Sequence, residues 1–362
     1  MINFDNNETT EVAAEVLAAM EPFSVADRVD TPSVKVVERS RMSVAKLIGA
    51  PDPGGIIFTS GGDESNRIAI LGAVESLPDK RQIITTKAES RETRRLFETL
   101  EQQGFSITWL DVDEQGGLDL DALKDALRPD TAIVSMTLGN FETGVIFPVA
   151  EAADVVKANS EALFHTDAIA AAGKIAIDIS ETQIDLLSIS GHKFHAPVGV
   201  GAIYFRDVIL PRSLPIGGEY EGVSNIAGIG AAADLVKDLS IMENVQHIRD
   251  RIENEILHKI PISGLNGAGL RLPNTSNISF ENVNGEMIVH RLFEAGIRVS
   301  TGSACNDPDH RASAVLQAMN VPYSQAMGSI RFSLSRYSTE GDADVLLEKL
   351  PVIIEKLHAM AA

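Results

Sequence analysis

Two periodicities alternate along the middle of the chain. Short runs rich in β-branched and aromatic residues recur at 55–60 (GIIFTS), 82–87 (QIITTK), 106–111 (SITWLD), 131–137 (TAIVSMT), 162–167 (ALFHTD), 185–190 (DLLSIS) and 201–205 (GAIYF). Between several of them lie helix-like patterns, Glu64 to Glu75, Glu92 to Gln103 and Val149 to Ala158. Strands alternating with helices imply crossover connections and an α/β fold with a mostly parallel seven-stranded sheet flanked by helices. Ligands of such sheets gather at the carboxyl ends of the strands.

Further on the pattern changes. A helical stretch runs from Ile229 to Lys259, followed by NISFENV (277–283), a helix near Gly285 to Ala295, GIRVSTGSAC (296–305), SIRFSLSR (329–336) and a last helix. This predicts a smaller α+β C-terminal domain. The expected division places 11–235 in the large domain and 236–362, with the N-terminal segment 1–10, in the small one.

The length of 362 residues suits two domains rather than one. The net charge of −20, from 31 basic and 51 acidic residues, repels phosphates and argues against nucleic acid as a general partner. Solubility is the ordinary reading of that acidity. No apolar run reaches the ~18 residues of a membrane span, and MINFDNNETT has neither the basic patch nor the apolar stretch of a secretory signal. One cysteine makes no internal disulfide, so a reducing, cytoplasmic location is expected.

Candidate chemistry concentrates at the strand ends. Ser190-Gly191-His192-Lys193 closes an apolar run, where desolvation can lower a lysine's pKa and suit it to a Schiff base. A lysine snorkelling from a loop is the commoner meaning of one such residue. Asp167 closes another run, and a carboxylate there can pair with a pyridinium nitrogen, although Asp also caps turns. A parallel sheet would bring these two strand ends, 26 residues apart, to one edge. FTSGGDESN (58–66) reads as strand, glycines Gly61 and Gly62, then helix, the form in which backbone N–H groups cradle phosphate. Cys305 sits among small residues that leave a thiol accessible, and Arg331 has the guanidinium fork that fits an amino-acid carboxylate.

FDNNETT, FTSGGDES, Asn140 in GNFETG, HTDA, SGHK, STGSAC and SIRFSLSR occur in the order of the cysteine desulfurase motifs and span nearly the whole chain. The chain thus resembles the cysteine desulfurases, the class V branch of the fold-type I pyridoxal phosphate (PLP) enzymes. The resemblance implies that Lys193 is the Schiff-base lysine, that Asp167 faces the pyridine nitrogen, and that Ser190 and His192 contact the phosphate. Asn140 would lie by the ring hydroxyl and substrate, Arg331 would hold the substrate carboxylate, and Cys305 would take sulfur from L-cysteine or a related amino acid as a persulfide, releasing alanine. It also implies a homodimer, a sulfur-acceptor or scaffold protein as partner, and a link to iron–sulfur cluster assembly.

Several positions depart from the family pattern. Ser90 stands where the family has a histidine stacked on the ring, and Ala170 where it has a glutamine. The small Ala-Thr pair of the phosphate site reads Gly62-Asp63. An ionised Asp63 aimed at a phosphate would repel it by roughly 4 kcal/mol at 4 Å and an effective dielectric of 20, more than a helix N-terminus returns. Asp63 turning away to cap the helix is the alternative. Glu8 replaces an alanine near the substrate carboxylate, Glu219 replaces a histidine, and the loop GGEYEGVSN (217–225) is short. Three readings therefore stand at the level of sequence: an active desulfurase; a non-catalytic scaffold relative whose Asp63 fills the phosphate site; and a PLP-dependent lyase or aminotransferase acting on another amino acid.

Overall fold

A computed structural model describes residues 1–24, 31–206, 222–301 and 312–361. Strand β1 (Ile2–Asn3) is followed by α1 (Ala14–Met20) and α2 (Thr31–Leu47). The large sheet comes from β2 (Ile56–Thr59), β3 (Gln82–Thr86), β4 (Ser106–Leu110), β5 (Thr131–Thr137), β6 (Leu163–Asp167), β7 (Leu186–Ser190) and β8 (Gly201–Phe205). Between its strands run α3 (Gly62–Ser76), α4 (Arg91–Gln102), α5 (Leu120–Ala126) and α6 (Val149–Asn159). Then follow α7 (Val223–Val236), α8 (Ser240–Lys259), β9 (Ser263–Leu265), β10 (Thr275–Phe280), α9 (Gly285–Glu294), β11 (Ile297–Arg298), α10 (Ala314–Ala318), α11 (Tyr323–Ala326), β12 (Ile330–Ser333) and α12 (Glu340–Ala361).

The seven strands stand in the order β2-β8-β7-β6-β5-β3-β4. Pairs within β4, β3, β5, β6 and β7 are parallel, and β8 runs antiparallel to both its neighbours. This is the mostly parallel sheet expected from the periodicity, and all seven runs form its strands. β5, β7 and β8 are buried along their whole length, because helices cover both faces. Buried polar groups on these strands find each other: His165 bonds Ser135 Oγ through Nδ1 and Ser188 Oγ through Nε2, both at 2.9 Å. Burial pushes His165 down to about 3, so the imidazole is neutral.

Local sequence explains the helices that flank the sheet. In α4, Thr93, Phe97 and Leu100 fall on one buried face, and Ser90 caps the helix by accepting the Thr93 N–H. Asp119 and Asn284 cap α5 and α9 in the same way. The single helix expected from Ile229 to Lys259 is two helices. Asp238 accepts the Ser240 N–H at 3.0 Å, and a side chain that captures a backbone donor in this way offers the chain a turn in place of the helix.

Apolar side chains segregate into separate cores. Those of the large sheet and its helices form two clusters. A third gathers Val245, Ile248, Ile252 and Ile256 of α8 with β10, β12 and α12, and it takes in Phe4 from the N-terminal segment. β1 pairs in parallel with β11, and β10 pairs antiparallel with β9 and β12. The N-terminal segment therefore crosses from the small-domain core to the edge of the large sheet, and the candidate site lies along that crossing.

Candidate active site

β6 and β7 are adjacent and parallel, so Asp167 at the end of one and Ser190-Gly191-His192-Lys193 at the end of the other meet at one sheet edge. Asp167 is buried. Its Oδ1 accepts the Ile169 N–H at 2.8 Å and its Oδ2 accepts from Asn66 Nδ2 at 2.7 Å. Burial pushes its carboxyl up to about 6, partly offset by these bonds. Burial likewise pushes Lys193 below the usual lysine range, while Glu8, Asp5 and Asp63 oppose that fall. Lys193 Nζ donates to the carbonyls of Asn7 and Glu8, each at 2.7 Å, which leaves one of its three donors.

The glycine turn closes the same edge. Gly61 is the N-cap of α3, and the Gly62 N–H donates to Ser190 Oγ at 3.2 Å. Ser190 Oγ in turn bonds His192 Nδ1 at 3.0 Å, and burial pushes His192 down to about 4, so its ring is neutral. A Cβ built on Gly62 would stand 2.3 Å from Ile169 Cδ1, so the α3 terminus approaches the β6 end closer than alanine allows. Ile169 explains the glycine that replaces the family's alanine.

Asp63 does not cap α3. The N-cap carries no side-chain bond, and Glu64 instead reaches back to the Ser60 N–H at 2.6 Å. The Asp63 side chain is exposed, yet the cleft walls strip part of its hydration and push its carboxyl up, with Glu92 adding to the rise and Lys193 opposing it. The scaffold reading, in which this carboxylate occupies the helix terminus, loses its structural basis.

Arg331, on β12, is buried and pairs with Asp5 through Nη2 at 2.7 Å, with Glu8 Oε2 at 3.9 Å from the same nitrogen. Its Nε has no partner among the described residues. Asn140 spends most of its amide on its own turn. Oδ1 accepts from the Glu142 and Thr143 N–H groups, and Nδ2 donates to the Ala88 carbonyl at 3.0 Å. Ser90 is turned to α4, donating to Thr93 Oγ1 at 2.9 Å. Cys305 and Glu219 lie outside the described residues.

Four residues of this neighbourhood escaped the sequence reading. Asn66, within the quoted glycine motif, lies four residues after Gly62, one helical turn on, and so reaches Asp167. Glu89 is fully buried, accepts from Thr86 Oγ1 at 2.9 Å and the Thr137 N–H at 3.2 Å, and is pushed up to about 8 by burial and then by Asp167. Lys174 donates to the Ala170 carbonyl at 2.7 Å and is pushed down to about 7 by burial, then by Lys193 and Arg331. Asn7 is held by Thr275 Oγ1, Phe141 O and Asn274, which fixes the carbonyl that faces Lys193. Asn66 and Asn7 lie within quoted motifs; Glu89 and Lys174 depend on burial.

These residues fit PLP. A buried carboxylate, a lysine with a lowered pKa, a glycine cradle in which a Cβ has no room, and a hydroxyl beside it occupy one edge, and the unpartnered Arg331 Nε lies nearby. Fold and site together define a fold-type I PLP-dependent transferase. The aminotransferase class-V description matches residues 2–346. Cysteine desulfurase 2 of Trichormus variabilis is 42% identical over 100% of this chain and 95% of its own length. The cysteine desulfurase of Sinorhizobium fredii is 42% identical over 99% and 97%. A solved NifS-like protein superposes with a TM-score of 0.90 at 31% identity, covering 98% of this chain and 100% of its own. SspA, solved in complex with cysteine, gives 0.81 at 28% identity over 94% and 100%. The chain belongs to the class-V aminotransferase family, in its cysteine desulfurase branch.

Proposed function

We propose that the protein takes the sulfur of L-cysteine onto Cys305 and releases alanine. The observation that carries this reading is the meeting of Asp167 and Lys193 on adjacent strand ends, with Arg331 within the electrostatic reach of Lys193. Lys193 would hold the carbonyl carbon of PLP, Asp167 its ring nitrogen, and Gly62, Ser190 and His192 its phosphate. When bound, PLP supplies an electron sink for the substrate carbon skeleton.

Arg331 binds the substrate carboxylate with a fork already oriented by Asp5. Lys193, kept below the usual lysine range by burial, gives up its proton more readily than an exposed lysine and so suits proton transfer. The Cys305 thiolate attacks the substrate sulfur. An S–S bond forms as the substrate C–S bond breaks, and the electron pair stays on the substrate carbon, which takes a proton and leaves as alanine. Cys305 ends as the persulfide and passes sulfur to an acceptor protein or thiol.

Two further features belong to this reading. The separate cores support a large domain of 11–235 and a small one of 236–362 with 1–10, except that Leu272, Val315, Leu316, Met319 and Ala326 pack into the core of the large sheet. Exposed apolar side chains on the large domain, Leu17 on α1, Val34 and Met42 on α2, and Val198, support a homodimer, which equilibrium ultracentrifugation tests. Among the described residues no helix is long and apolar enough to cross a membrane.

The deciding experiment adds PLP to the purified protein, reduces with borohydride and maps the adduct, then assays alanine and sulfide from L-cysteine. An adduct on Lys193, with alanine formation abolished by Cys305→Ser, is expected. An adduct together with activity that survives Cys305→Ser would turn the reading toward a lyase or aminotransferase.

A further inference from the structure

Glu142 is a buried acid with no part in the chemistry above. It lies in the turn after β5, where Asn140 Oδ1 accepts its N–H at 3.0 Å. Its carbonyl accepts from Asn277 Nδ2 at 3.4 Å, and Asn277 stands directly opposite Arg331 in the β10–β12 pair. Its Oε2 accepts the Ser313 hydroxyl at 2.5 Å, while its Oε1 is buried with no partner among the described residues. Ser313 is the N-cap of α10, accepting the N–H groups of Val315 and Leu316, and lies eight residues beyond Cys305 in sequence. Glu142 thus binds the turn of Asn140 and the strand opposite Arg331 through its backbone, and Ser313 at the start of α10 through its carboxylate.

Resting on the desulfurase reading, we propose that Glu142 is a positioning residue for sulfur transfer, holding Ser313, eight residues after Cys305 in sequence, at the start of α10 beside the strand pair that carries Arg331. A hydroxyl donating to a carboxylate at 2.5 Å is the short, charge-assisted kind of hydrogen bond. Ser313 already accepts two backbone donors, so its proton is committed to Glu142. Protonating Glu142 removes that charge assistance and loosens the tie. Burial pushes Glu142 up to about 7, with Ser313 and then Arg331 opposing; these are the groups that act on it among the described residues. The tie is accordingly strongest above neutrality and fades as pH falls through it. Cofactor capture at Lys193 does not depend on it.

The test uses the PLP-loaded protein and the variants Glu142→Gln and Ser313→Ala. Cysteine binding is read from the change in the visible band, and transfer from single-turnover alanine release, across pH 6 to 9. Each variant is expected to slow transfer by about tenfold, the size of one charge-assisted hydrogen bond, with the cysteine dissociation constant changed by less than about threefold. The acid limb near pH 7 seen in the wild type should vanish in Glu142→Gln. Equal losses of binding and transfer in Ser313→Ala, unchanged transfer in both variants, or an acid limb retained in Glu142→Gln would overturn the proposal. If the wild type releases no alanine, the desulfurase reading falls first. The tie is then judged by the pH profile of Cys305 alkylation in PLP-free protein: an inflection near 7 that Glu142→Gln removes supports it, and identical profiles refute it.

Discussion

Glu8 and Arg331 stand 3.9 Å apart at the place where a substrate carboxylate is expected, with Asp5 already 2.7 Å from the same guanidinium nitrogen. Arg331 is buried, whereas 73% of the Glu8 side chain is exposed, so water screens most of the Glu8 field. An incoming carboxylate meets the Arg331 cation flanked by two anions, Asp5 and Glu8. Glu8→Ala is expected to lower the KM for L-cysteine about three- to fivefold, corresponding to ~1 kcal/mol for a screened pair, with kcat within twofold. Steady-state kinetics check this; an unchanged KM would remove Glu8 from the field of the substrate carboxylate, and a raised one would show that Glu8 serves substrate binding.

Asp63 makes no cap bond on its helix, so its carboxylate is expected to oppose a phosphate at that terminus. Asp63→Asn should tighten PLP binding several-fold at pH 8, and the gain should shrink as pH falls toward the range in which the raised carboxyl takes up its proton. Comparing variant and wild type at each pH cancels the titration of the phosphate itself. A fluorescence titration with PLP measures both, and equal affinities at pH 8 would remove Asp63 from the phosphate's field.

Gly62 and Ile169 form a fitted pair. Gly62→Ala forces a Cβ to 2.3 Å from Ile169 Cδ1, an overpacking that costs about 1–3 kcal/mol. Ile169→Val removes that Cδ1 and should recover most of the loss in the double variant. Denaturant melts of the four proteins test this through a coupling energy, and additive effects would refute the pairing.

Glu89 gives the fold a pH dependence of known sign. In the folded protein it holds its proton to about pH 8, and in the unfolded chain only to about 4.5. The folded state therefore binds more protons in this window, and the Glu89 contribution to stability falls as pH rises from 4.5 to 8. Both donors reach Oε1, which glutamine keeps. Relative to wild type, the melting temperature of Glu89→Gln should gain about 3 °C or more between pH 6 and 9, as measured by calorimetry of PLP-free protein.

Much of this was legible in linear order. Periodicity determined the seven strands and their mostly parallel arrangement, because buried runs and amphipathic helices differ in repeat. The motif residues Asp167, Lys193, Gly62 and Arg331 were readable for the same reason that they cluster: strand ends and glycine turns have local signatures. The break at Asp238 was hidden, since one side-chain bond to Ser240 outweighs a continuous helical pattern. Asp63 makes no cap bond, and the acid beside it, Glu64, reaches back to the Ser60 N–H. The unusual titrations of Glu89, Glu142 and Lys174, and the tie of Glu142 to Ser313 across 171 positions, were decided by tertiary structure alone. Such properties come from desolvation and contacts between distant segments, which no local pattern encodes.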